Sequence, residues 1–260
     1  MTADGVGSPR IALVTGGTSG IGYAIVRRLL QENMVVYAIG RTAEHADAVT
    51  KSSAEQGERR LRVYVGDIRD EVFCKCLVAD ISRSGMRLDV LVHAAGVIGC
   101  DGFSNEMRED WNRVIDTNLT APVFLTQSAI PLLASGENPV VLFVSSICGI
   151  HPCDCVSYSA SKAGIDAVCV SLARQLAYLG IRVNAIAPGL VPTNLYLSAG
   201  RFESQDAYES WVRERTNKYP LGRVGTPEDV ASAAMFLCSK SASWITGAVL
   251  NVDGGRLTQR

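Results

Sequence analysis

Tyr158 and Lys162 stand four residues apart in the run Ser157-Tyr158-Ser159-Ala160-Ser161-Lys162-Ala163-Gly164. On a helix, positions i and i+4 share a face, so this spacing lets a phenol and an ammonium enter one pocket. A free phenol, with a pKa near ~10, exchanges protons poorly at neutral pH. A close cation favours the phenolate. A fall of about 3 units corresponds to roughly 4 kcal/mol of preference for the charged form. The pair therefore reads as a general acid/base. Two serines, Ser145 and Ser146, lie upstream of it.

A second chemical signal opens the chain, Thr15-Gly16-Gly17-Thr18-Ser19-Gly20-Ile21-Gly22. It follows an apolar run and leads into an amphipathic stretch. Glycines at 16, 20 and 22 permit a tight turn and let the backbone approach a pyrophosphate, whose charge suits a helix N-terminus. The spacing predicts a dinucleotide turn. The end of the second apolar run, Tyr37-Ala38-Ile39-Gly40-Arg41-Thr42, bears on cofactor type. An acid there would hydrogen-bond the ribose of NAD and repel a 2′-phosphate. Gly40 holds that position and Arg41 follows, and a guanidinium can grip a phosphate bidentately. The expectation is NADP(H) rather than NAD(H).

These residues need a scaffold. Strand-length apolar runs occur at 11–15, 35–39, 61–65, 90–93, 140–145, 182–186 and 249–252. Helical stretches at 21–32, 43–56, 70–84, 107–134, 156–179 and 227–239 separate them. That rhythm predicts right-handed crossovers and a parallel sheet. Val140–Val144 is apolar on both faces, as a strand covered by helices on both sides should be. No repeat or linker interrupts the chain. The expected architecture is α/β, one doubly wound Rossmann domain over 1–260 with an aromatic-rich insertion at about 192–220. The insertion reads as a substrate lid, because functional loops gather at this crevice. A helical excursion packed on the sheet edge or a neighbouring subunit is the alternative.

In order and along nearly its whole length, the chain resembles the short-chain dehydrogenase/reductase family. The landmarks are the glycine turn, Asp67, His93-Ala94-Ala95-Gly96, Asn118, Ser146, Tyr158 with Lys162, and Pro188-Gly189 with Thr193. The resemblance implies seven parallel strands with the site at their C-terminal ends. It implies that Gly16, Thr18, Ser19, Ile21 and Arg41 bind the cofactor, that Asp67 and Ile68 flank its adenine, and that Ala95 and Gly96 line its middle. Pro188, Gly189, Val191 and Thr193 would hold the nicotinamide. Tyr158 would give the proton, Ser146 would orient the substrate oxygen, and Lys162 would tune the phenol and hold the ribose. Asn118 would hold a water in a proton relay through a local helix irregularity. The Ser-Ser-x-x-Gly frame points to Ser146. The spacing to Tyr158 is one residue short of the family's, which keeps Ser145 as the alternative. His93 replaces the family's asparagine and is read as a strand-end histidine satisfied by backbone.

The implied activity is NADPH-dependent reduction of a ketone, a 3-oxoacyl thioester or related carbonyl, to a secondary alcohol. Alternatives are an NAD-linked alcohol or sugar dehydrogenase working oxidatively, and a non-catalytic NADP-binding sensor. Relatives imply a homotetramer, with a dimer as fallback. The net charge of −1 and the lack of a basic block argue against nucleic acid or anionic membranes as partners. No apolar leader occupies 1–10 and no apolar run spans a bilayer, so a cytoplasmic protein is expected. Its eight cysteines then read as reduced thiols. Cys153 and Cys155, with His151 and Asp154, lack a second cluster at zinc-ribbon spacing, so no metal is expected.

Overall fold

The apolar runs become the seven strands of one parallel sheet in the computed structural model, which describes residues 8–85 and 87–258. The remaining residues of the 1–260 span, including most of the segment read for a leader, lie outside that description. The strands are β1 (Ile11–Thr15), β2 (Val35–Gly40), β3 (Leu61–Val65), β4 (Val90–His93), β5 (Val140–Val144), β6 (Arg182–Pro188) and β7 (Val249–Val252). Their order is β3-β2-β1-β4-β5-β6-β7. The chain reverses direction of growth between β1 and β4, and open α/β sheets receive ligands at such a switch point.

The helices are α1 (Gly20–Gln31), α2 (Ala43–Glu55), α3 (Glu71–Gly85), α4 (Arg108–Ile115), α5 (Ala121–Leu133), α6 (Val156–Leu176), α7 (Leu195–Ser198), α8 (Gln205–Arg215) and α9 (Pro227–Cys238). Strand alternation sorts the core into two layers. Leu13 joins one with Leu77 of α3, Leu125 of α5 and Ile165 of α6. Ala12 and Val14 join the other with Ile25 of α1 and Val230 of α9. Buried Asp89 accepts the Ile11 N–H at 2.6 Å, tying β1 to β4 at the end of the sheet away from the switch-point crevice.

Two segments add detail to the sequence reading. The helical stretch 107–134 is interrupted by a π turn at Asp116–Thr120, at the place where the resemblance implied a helix irregularity, and Asn118 turns its amide inward there. Part of the insertion is helical. Ser204 caps α8 by accepting the Ala207 N–H at 3.1 Å, and a 3-10 turn follows at Thr216–Lys218. Tyr196, Phe202, Tyr208 and Trp211 pack together there, with ring centroids 5.1–6.3 Å apart.

Candidate active site

The glycine turn works through close approach. Gly16 has φ +65°, and a Cβ there would lie 2.7 Å from the Ala95 backbone. A Cβ on Gly22 would lie 2.2 Å from the Gly16 carbonyl oxygen. Any larger side chain would push α1 off the turn, so the glycines keep the α1 N-terminus against a cleft of about 270 Å³. Ser19, the N-cap of α1, uses no side-chain bond on the helix. The first-turn N–H groups, without intrahelical partners, are suited to an anion.

Of the residues expected from sequence, Gly16, Thr18, Ser19, Ile21, Arg41, Asp67, Ile68, Ala95, Gly96, Ser146, Tyr158, Lys162, Pro188, Gly189, Val191 and Thr193 line this cleft. Asn118 does not; it stands behind the wall. Its Oδ1 accepts the Val97 N–H at 2.9 Å, and its Nδ2 donates to the Val97 carbonyl at 2.8 Å and to the Ser161 hydroxyl at 3.0 Å. The side chain is fully engaged by protein, so a relay water at this position would have to be held by main chain.

The paired serines divide their contacts. Ser145 turns to α6 and donates to the Lys162 carbonyl oxygen at 3.3 Å. Ser146 accepts the Cys148 N–H at 3.2 Å and lies near enough to Tyr158 to favour its phenolate. Lys162 donates from Nζ to the Val144 carbonyl at 2.8 Å and lies 5.5 Å from the Tyr158 ring centroid.

The charge states differ from the sequence argument. Burial pushes the Tyr158 phenol well above its ordinary value, Tyr196 and Cys148 push the same way, and the Ser146 hydroxyl opposes them. Burial also lowers the Lys162 ammonium to about 8. Lys162 is not among the leading influences on the phenol; its ammonium donates to the Val144 carbonyl and lies 5.5 Å from the ring centroid.

His93 also departs from expectation. Its partner is a side chain, the Thr126 hydroxyl at 2.8 Å, not backbone. That hydroxyl donates its proton to the Pro122 carbonyl at 2.8 Å, so the imidazole must donate from Nε2. Burial lowers its pKa to about 3, and the ring stacks on Phe143 with centroids 5.1 Å apart. It is a neutral core residue.

At the adenosine end, Arg41 makes no salt bridge among the described residues, while Asp67 is held by Arg69 at 2.6 Å. Gly40 is glycine for a packing reason as well. A Cβ there would come within 2.2 Å of Thr18 Oγ1, so an acid placed at 40 would disturb the turn as well as repel a phosphate. The cleft thus fits a dinucleotide. The buried Thr117 Oγ1, which also lines it, has no partner among the described residues. Sequence reasoning passed over Thr117, since a mid-helix threonine carries no signal.

Two tyrosines from the insertion hold the 188–193 loop. Tyr219 accepts the Leu190 N–H at 2.8 Å, and Tyr208 accepts the Thr193 N–H and donates to the Thr193 carbonyl, both at 3.2 Å. A second cleft of about 440 Å³ opens from Ser146, Gly189 and Tyr196, which it shares with the first. Cys153 lines it. Cys148 beside it and the Ser159 hydroxyl, 3.4 Å from its Sγ, hold the Cys153 thiol below its ordinary range. Cys155 is buried beside the Ser157 hydroxyl. Among the described residues no three His, Cys, Asp or Glu side chains gather into a metal site, and no helix is long and apolar enough to cross a membrane.

The start of α9 carries a capping box. Thr226 accepts the Asp229 N–H at 3.2 Å, Asp229 accepts the Thr226 N–H at 2.7 Å, and Arg223 grips Asp229 at 2.6 and 2.8 Å. Such a box satisfies orphan N–H groups at a helix start.

Comparison with known proteins gives the family. A family model described as enoyl-(acyl carrier protein) reductase matches residues 16–256. A cis-4-hydroxycyclohexanecarboxylate dehydrogenase of Sinomonas cyclohexanicum is 38% identical, over 95% of this chain and 96% of the relative. A 3-oxoacyl-(acyl-carrier-protein) reductase of Thermotoga maritima is 34% identical, over 95% and 97%. The ligand-free aldohexose dehydrogenase of Thermoplasma acidophilum superposes with a TM-score of 0.85 at 28% identity, over 97% of this chain and 95% of that one. Matches of this length, on a fold that brings the phenol, the ammonium and the glycine turn to one cleft, make the chain a member of the short-chain dehydrogenase/reductase family, a nicotinamide-dependent oxidoreductase acting on CH–OH groups and their carbonyls.

Proposed function

We propose that the chain is an NADPH-dependent reductase converting a ketone to a secondary alcohol. The convergence of Tyr158, Ser146 and Lys162 on the cleft that holds the glycine turn and Arg41 carries this reading. The reduced nicotinamide, when bound, supplies hydride to the carbonyl carbon. Tyr158 gives its proton to the carbonyl oxygen, and Ser146 donates a hydrogen bond to that oxygen as charge develops. Lys162 resupplies the proton balance and holds the nicotinamide ribose. Val191 and Thr193 orient the carboxamide, Asp67 and Ile68 flank the adenine, and Arg41 takes the 2′-phosphate. Asn118 acts on the relay from behind the wall, through the π turn it anchors.

Oxidation of a secondary alcohol is the second reading, favoured by a 38% identical relative whose name gives a cyclic hydroxy acid. A panel of ketones, 3-oxoacyl thioesters and the matching alcohols, run with NADPH, NADH and their oxidised forms, tests both. Tyr158→Phe keeps the ring and removes the acid, so turnover should fall by about 10²–10⁴-fold or more with NADPH affinity little changed. Wild-type activity in that variant would sink the proton-donor assignment. NADPH binding with no turnover across the panel would favour a sensor.

We further infer a cytoplasmic homotetramer. All eight cysteines are free thiols, which suits a reducing compartment. Phe124 and Val170 on α5 and α6, and Phe236, Trp244 and Leu250 around α9 and β7, are exposed apolar side chains that an assembly would cover. Light scattering that finds only monomer at micromolar concentration would refute the assembly.

A further inference from the structure

The second cleft has a charge surplus that the reaction does not require. Four cations, Arg201, Arg215, Lys218 and Arg256, line it against two carboxylates, Asp101 and Asp154, an excess of two positive charges. Arg201 is matched, since it pairs with Asp101. Arg215 lies 3.9 Å over the Trp211 ring and donates to the Trp211 carbonyl at 3.2 Å, which fixes its guanidinium without neutralising it. Lys218 and Arg256 make no salt bridge among the described residues, although ten or more such pairs form elsewhere.

We propose that the substrate of this cleft carries a carboxylate, read by Arg215, Lys218 and Arg256, at the end remote from the reacting carbonyl. The inference rests on the reading of Ser146 and Tyr158 as the reaction centre. Ser146 and Tyr196 belong to both clefts, so a molecule whose carbonyl meets Ser146 extends into the second one. Tyr196 and Trp211 give that molecule an aromatic wall, and their rings lie 5.1 Å apart. The volume, about 440 Å³, is that of a small-molecule site. The cations line its walls, so the anion they meet sits on the small substrate itself. A planar guanidinium pinned on an aromatic face keeps its outer N–H groups free for bidentate contact with a carboxylate.

The test compares three keto acids of increasing size, 4-oxopentanoate, 4-oxocyclohexanecarboxylate and 4-(4-oxocyclohexyl)benzoate, each with its methyl ester. The ester keeps the carbonyl and scaffold and removes only the charge. At least one acid should exceed its ester in kcat/KM by tenfold or more. That preference should fall with added salt and collapse toward unity in Lys218→Gln/Arg256→Gln, through KM rather than kcat. Arg256→Lys should restore part of it. Esters equal to or better than acids in every pair, or a preference that survives the double variant, overturns the proposal. Equilibrium binding of the acids, followed by tryptophan fluorescence, separates the two readings. Acid binding that is lost in the double variant, without any turnover, leaves the carboxylate site standing and removes the reductase reading. No binding of any acid removes the carboxylate site.

Discussion

Asn118→Ala offers a quantitative test of how the cofactor wall is held. Asn118 is 2% exposed and closes a two-bond clamp on Val97, accepting its N–H and donating to its carbonyl. Truncation strands both main-chain groups. Each buried polar group left unmade costs about 1–3 kcal/mol, so the pair costs about 2–6 kcal/mol, centred near 4. The Ser161 hydroxyl loses a donor as well but keeps its bond to the Tyr158 carbonyl at 2.7 Å, so it adds little. For a domain of this size 1 kcal/mol is worth roughly 2–4 °C, and the melting temperature should fall by about 8–16 °C. Urea unfolding and calorimetry of the cofactor-free protein read this directly. Because Val97 continues the Ala95-Gly96 wall, NADPH affinity should fall too. Asn118→Asp is the informative partner. It retains the acceptor for the Val97 N–H but sets an oxygen against the Val97 carbonyl, a conflict that protonation relieves. The folded state therefore favours the protonated carboxyl, and the deficit of this variant should shrink as pH falls. If Asn118→Ala unfolds within about 0.5 kcal/mol of wild type, a level typical of surface changes, the clamp is not what holds the wall.

Arg41→Ala should weaken NADPH by about 1.5–3 kcal/mol, the range for hydrogen bonds to charged groups, and leave NADH nearly unchanged; equal losses measured by cofactor titration would show that Arg41 does not read the phosphate. Lys162 sits at about 8 in the fold against ~10.4 for a free lysine. The unfolded chain therefore binds more protons between those values, and this group's contribution to stability rises with pH across that window. The urea midpoint of wild type relative to Lys162→Met should climb from pH 8 to 10, and a flat difference would contradict a depressed lysine. Cys153, held below its ordinary range by its Cys148 neighbour, should be alkylated by iodoacetamide at a rate that reaches half its plateau below the ~8.5 of a free thiol. Peptide mass spectrometry should find the rate still rising near ~8.5 only for an unperturbed thiol.

Much of the scaffold was legible because both its signals are local. The seven apolar runs are strand-length and largely β-branched, and they appear as β1–β7 with ends shifted by no more than two residues. The glycine turn was legible because only glycine fits where the Gly16 and Gly22 positions meet backbone. The π turn was legible only through the resemblance at Asn118, because the contact that accompanies it, between Asn118 and Val97, is 21 residues apart and leaves no local pattern. Helix α8 was obscured for a related reason. Tyr208 is its one fully buried residue, so it has no aliphatic stripe, and its inward face is an aromatic cluster that needs Tyr196 and Phe202 from outside the helix. The cationic wall of the second cleft was equally hidden, since Arg215, Lys218 and Arg256 come from separate elements and look like solvated surface charges in the sequence.

The acid/base pair marks where local reasoning stops. A spacing of four fixes that the phenol and ammonium share a face of α6, and they do. It does not fix which part of Tyr158 the ammonium meets. Packing of α6 against β5 brings Lys162 Nζ to the Val144 carbonyl and to 5.5 Å from the ring centroid, and burial rather than the ammonium leads the shift of the phenol. Burial then opposes both charges, raising the one pKa and lowering the other. Two groups whose charged forms burial disfavours in this way are responsive to any further charge in the cleft. At an effective dielectric of ~20, a unit charge 4 Å away is worth about 4 kcal/mol, equivalent to roughly 3 pKa units. That is the shift the sequence argument asked of Lys162 alone. The Tyr-x-x-x-Lys spacing thus sets the position of the proposed proton donor. Its acidity is set by burial, by Ser146, and by the charge of whatever enters the cleft beside it.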